Sequence, residues 1–68
     1  MKRPGEECSR EHATLAAGAG IMRERHVGAR PICGEKDKLL GIVTERDIVL
    51  RCVAEGRDPA QVTAGELA

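Results

Sequence analysis

The stretch Leu40-Gly41-Ile42-Val43-Thr44-Glu45-Arg46-Asp47-Ile48 decides the fold, because the spacing of apolar residues changes in its middle. Leu39 to Thr44 is rich in branched apolar residues and predicts a strand. Thr44 then reads as a helix N-cap with Asp47 three residues on, a variant of the capping box with Asp in place of Glu. Ile48, Val49, Cys52 and Val53 follow as the apolar stripe of that helix, and Gly56 ends it. A strand therefore runs directly into a helix at Thr44.

Upstream, Pro31-Ile32-Cys33 predicts a short extended run, and Gly34-Glu35-Lys36-Asp37-Lys38 a polar turn. The two strands would pair as a hairpin, with Gly41 marking a close backbone approach. Before them, Thr14 to Arg25 predicts a helix, with Thr14 as N-cap and Leu15, Ala19 and Met22 on one face. Ile21 widens that stripe. Gly28 fits the left-handed residue that closes this helix, with Arg25 and His26 in its last turn. Gly18 and Gly20 weaken it by roughly 1 kcal/mol each relative to Ala. Downstream, Arg57-Asp58-Pro59 is a stop signal, and Thr63-Ala64-Gly65-Glu66-Leu67-Ala68 has the capping box of one more helix. Residues 1–7 read as a polar arm, with at most a short strand near Cys8, so residues 8–68 form the folded unit.

The chain has 68 residues, no Phe, Trp or Tyr, and equal numbers of basic and acidic residues. At this size a lone core is marginal, and without aromatics each buried side chain removes less apolar area from water. Composition thus favours self-association. Zero net charge gives no field to attract nucleic acid or an anionic membrane. The apolar runs are too short to span a bilayer, and the charged first residues show no signal peptide, so a cytoplasmic address is expected. No enzyme signature is present. The sequence offers no nucleophile with an orienting base, no carboxylate pair placed for acid–base work and no Gly-rich phosphate loop before a lysine.

The stretch from Met22-Arg23-Glu24-Arg25-His26-Val27-Gly28 through Ala29-Arg30-Pro31-Ile32, with the Gly-Ile-Val-Thr-Glu-Arg-Asp junction at Gly41 to Asp47, resembles the CBS (cystathionine-beta-synthase-type) motif. The resemblance implies an α/β (α+β) fold, a β-α-β-β-α unit with a small sheet and two helices on one face. It implies a regulatory module rather than an enzyme, working paired with a second motif, here as a homodimer or with another CBS motif. It further implies an adenosine nucleotide, AMP or ATP, as ligand and no resident cofactor. By the same resemblance Thr44 faces phosphate and Asp47 accepts hydrogen bonds from ribose hydroxyls. Pro31 and Ile32, with the first strand around Ser9, border the base. Arg46 could add a charge-assisted bond to phosphate.

Thr44 and Asp47 also suffice as a plain helix cap. Two rival readings follow: a ligand-free CBS-like dimerisation unit with a cysteine-dependent stability or redox response, and a truncated remnant without function. The chain departs from the family pattern in four ways. The segment before the first helix is more polar, Gly18 and Gly20 stand where Ala is favoured, Arg30 precedes the proline, and the second motif is missing. Arg30 would have to snorkel to solvent or find a carboxylate.

Cys8 and Cys33 leave two readings open. A right-handed crossover would lay their strands side by side, close enough for a disulfide closing a loop of about 25 residues, worth roughly 3 kcal/mol. Alternatively, they are two ordinary buried thiols. Cys8, His12, His26 and Cys33 are zinc-ligand types, but their spacing is loose and no metal site is expected.

Overall fold

The computed structural model describes residues 8–68, so the polar arm at residues 1–7 lies outside it. The elements are β1 (Ser9–Arg10), α1 (Leu15–Arg25), β2 (Ala29–Cys33), a 3-10 turn (Glu35–Asp37), β3 (Leu39–Thr44), α2 (Glu45–Ile48), which continues as a π-helical segment over Val49–Val53, and α3 (Ala64–Leu67). The expected β-α-β-β-α order is therefore present, with α3 added at its end. The sheet has the order β1-β2-β3. β1 runs parallel to β2, with Ser9 opposite Ile32. β2 and β3 form the expected antiparallel hairpin, with Arg30 opposite Val43 and Pro31 opposite Ile42, and a register shift between Ile32 and Cys33.

The local signals explain most of these boundaries. Thr14 caps α1 by accepting the Ala17 N–H on its hydroxyl. The end of α1 differs from expectation. His26, not Gly28, adopts the left-handed conformation, and the His26 and Val27 amides close the helix on Arg23 O and Met22 O. Histidine tolerates that region better than most residues with a Cβ. Gly28 serves a different need: its carbonyl accepts the Glu45 N–H, and a Cβ there would meet the Glu45 carboxylate at 2.8 Å.

The core gathers Leu15 and Met22 of α1, Ile32 and Val43 of the sheet, Ile48 and Cys52 of the second helix, and Val62, Ala64 and Leu67. Strand alternation puts Ile32 and Val43 on the same face, so all the helices cover that one. The opposite face, bearing Pro31, Leu40 and Ile42, stays open, and Ile42 is 55% exposed. The stripe expected on the second helix is split. Ile48 and Cys52 are buried, but Val49 and Val53 are 54% and 53% exposed. The Ala54 N–H bonds Val49 O, a wider turn than an α-helix makes, and only one side of this helix meets the sheet. Among the described residues no helix is long and apolar enough to cross a membrane.

The last segment is bound to the first. Leu15 N–H donates to Val62 O, Ala16 N–H to Pro59 O and Ala64 N–H to Ala13 O. Thr63 and Glu66 form the expected capping box of α3. Gly65 lies so close that an added Cβ would sit 2.9 Å from the Glu11 carbonyl oxygen. Helix propensity alone would make Gly65→Ala stabilising by about 1 kcal/mol. The backbone clash reverses the sign, and thermal melting should show a loss of about 1–2 kcal/mol. A higher melting temperature would refute the close approach. Gly41 behaves as expected, since a Cβ there would come 3.1 Å from the Ala68 backbone.

Candidate functional site

The candidate site is the β3–α2 junction. Thr44 N–H donates to Asp47 Oδ2 at 2.9 Å, and Asp47 N–H donates to Thr44 Oγ1 at 3.0 Å, a reciprocal capping box. These bonds, the Thr44 N–H above all, hold the Asp47 carboxyl below its ordinary value, helped slightly by Arg51 and Arg46. Asp47 Oδ1 accepts nothing from the described residues, so one acceptor remains on a carboxylate already fixed in place. Thr44 and Asp47 are half-buried and Arg46 is exposed beside them.

The other expected site residues are placed differently. Pro31 is half-buried on the open sheet face, opposite Ile42. The Ile32 side chain is in the core, so only its backbone could border a ligand. Ser9 is buried, and its hydroxyl accepts the Arg30 Nε–H at 2.8 Å. That contact also answers the placement of Arg30. Instead of reaching water it is buried against β1, where desolvation, with Arg25 adding repulsion, lowers its pKa.

Cys8 and Cys33 are joined by a disulfide with Cα atoms 6.0 Å apart, so the reading of two free thiols is corrected. The parallel pairing of β1 with β2 brings them together. Neither thiol is then left for a metal, and among the described residues no group of three or more His, Cys, Asp or Glu could hold one. Cys52 is a buried free thiol.

A concavity of about 590 Å³ opens between the end of α1 and the start of α2. Ala19, Met22, His26, Val27, Ile48 and Val49 line it. Sequence reading does not find it, because Val49 reads as one more residue of the apolar stripe of that helix. The available signal was Val27, an apolar residue just past a helix end.

Comparison with known proteins places this geometry. The family model of the CBS domain matches residues 8–54. The chain belongs to the CBS domain family. Hypoxic response protein 1 of Mycobacterium tuberculosis is 55% identical to this CBS chain over 64 residues, covering 94% of the chain and 45% of that protein. The crystal structure of hypoxic response protein I with two coordinated zinc ions superposes with a TM-score of 0.88, covering 94% of this chain and 53% of that one. The CBS domain protein PAE2072 from Pyrobaculum aerophilum, complexed with AMP, is 28% identical with a TM-score of 0.72, covering all of this chain and 51% of that one. The CBS chain thus spans about half the length of these relatives.

Within this CBS motif the Asp47 cap has a pH signature. Its folded pKa is depressed, so its contribution is complete above the ordinary Asp value of 3.8 and is lost as pH falls through the folded value. Glu66, lowered by Arg57 and Thr63, titrates in the same sense. The comparison is therefore wild type against Asp47→Asn in urea melts. The stability gap should be present at neutral pH and shrink in acid. A gap independent of pH would refute the carboxylate cap.

Proposed function

We propose that this CBS chain is a regulatory module that binds an adenosine nucleotide, AMP or ATP, as a homodimer, with Thr44, Asp47 and Arg46 facing the ligand. The observation that carries this reading is the β3–α2 junction. There a carboxylate is held by one oxygen and offers the other to a sugar diol, beside an exposed guanidinium. The AMP complex of PAE2072 supports the ligand class. The open apolar sheet face supports pairing with a second copy or another CBS motif. Pro31 and the Ile32 backbone border that face, whereas Ser9 contributes through Arg30 rather than directly.

A second reading is favoured by the same bonds. Thr44 and Asp47 satisfy each other and Ser9 is engaged, so the module could serve as a ligand-free dimerisation unit stabilised by its disulfide. Melting curves at several protein concentrations, with and without AMP and ATP, separate the two. Nucleotide binding predicts a rise of several degrees that is absent in Asp47→Ala, measured against that variant's own ligand-free curve. A melting temperature that climbs with protein concentration alone leaves the dimerisation unit. A monomer without cooperative melting would leave neither.

A further inference from the structure

The groove between the end of α1 and the start of α2 combines exposed apolar side chains with charges of both signs. Val27 and Val49 line it and are 47% and 54% exposed, beside the buried Met22. Arg23 and His26 stand on the α1 side, and Glu45 on the α2 side. All three are exposed, and among the described residues none of their side chains makes an ion pair or a hydrogen bond. The Glu45 carboxylate lies over Gly28, in space that a Cβ would fill.

An apolar patch rimmed by polar groups marks a contact surface, and here the charges select the occupant. A nucleic acid or a small anion would meet Glu45, and a cationic partner would meet Arg23. A surface carrying both charges in reverse order satisfies both sides of the groove. A second copy turned about a twofold axis presents that surface. The same rotation sets the valines of each copy against the groove of the other. Zero net charge adds no long-range repulsion between copies.

We propose that this groove is a self-recognition site. Two copies of the chain dock about a twofold axis, with Arg23 of each facing Glu45 of the other and with Val27 and Val49 buried between them. Apolar burial supplies the affinity. The crossed ion pairs set the register, because like charges brought face to face cost far more than an exposed pair contributes. The groove lies on the helical side, so such a pair leaves the sheet face with Ile42 open. The inference therefore stands apart from nucleotide binding and from pairing at that face.

The test is sedimentation of the full chain over a range of concentrations. Every sample carries Ile42→Glu, so that pairing at the sheet face does not contribute. Arg23→Glu sets like charges opposite each other twice in every pair, and so does Glu45→Arg. Each variant alone should therefore associate about tenfold more weakly than the Ile42→Glu parent. An equimolar mixture of the two should regain the parent affinity, because each copy then offers the charge that the other lacks. Single variants that associate like the parent, or a mixture no tighter than its components, would overturn the proposal. If a cation in the first turn of α2 spoils the melting curve of Glu45→Arg, Val49→Glu decides. That position is exposed, so the fold tolerates the change, and association should again weaken about tenfold. An unchanged association there would sink the idea.

Discussion

Adding a reductant to the purified chain is expected to lower its melting temperature by roughly 15 °C. The Cys8–Cys33 bridge spans a sequence separation of 25. Closing a loop of that length removes freedom from the unfolded chain worth about 3 kcal/mol. In a domain this small each kcal/mol moves the melting temperature by about 4–8 °C. Loss of the bridge therefore approaches the whole stability that a core of this size supplies, about 3–5 kcal/mol. Cys8→Ser should reproduce the shift without reductant and make the protein insensitive to it. A melting curve that reductant leaves within a degree or two would show that the bridge contributes nothing to folding.

The second large effect is expected at Leu15. It is 1% exposed, and its side chain meets the sheet while its own amide donates to Val62 O. With no aromatic residue in the chain, the space between α1 and the sheet is filled by Leu15 together with Met22. Leu15→Ala should cost about 3 kcal/mol, the cavity adding to the lost transfer energy. In a marginal domain that leaves a substantial unfolded fraction at room temperature, visible as lost helical ellipticity. Leu39→Ala, at a 61% exposed position, should change stability by less than about 0.5 kcal/mol and serves as the control. If both variants melt alike, the assigned core is wrong.

What the sequence disclosed was local. Thr44 and Asp47 interact within one turn, so their types and spacing were enough to place the capping box, and Thr63 with Glu66 was legible for the same reason. The strand alternation around Val43 and the hairpin turn also need only neighbours. The misreadings came from contacts set by distant segments. Gly28 looked like a helix stop because glycine commonly is one, but the space it leaves is taken by Glu45 from another element. Val49 and Val53 share the character of Ile48 and Cys52, and only the orientation of the helix on the sheet separates exposed from buried. Ser9 could not be known as the partner of Arg30 until β1 was laid beside β2. The disulfide was half legible: the topology brought the two cysteines together, but whether they bond depended on geometry that spacing does not carry.

The pairing of residues 59–64 with the start of α1 has a consequence for how the protein is made. Val62, Ala64 and Leu67 belong to the same core as Leu15, so that core cannot close while they are still inside the ribosome. During translation the earlier hairpin and α1 emerge with their apolar sides uncovered. Folding is then a late, nearly all-or-none event rather than a stepwise one.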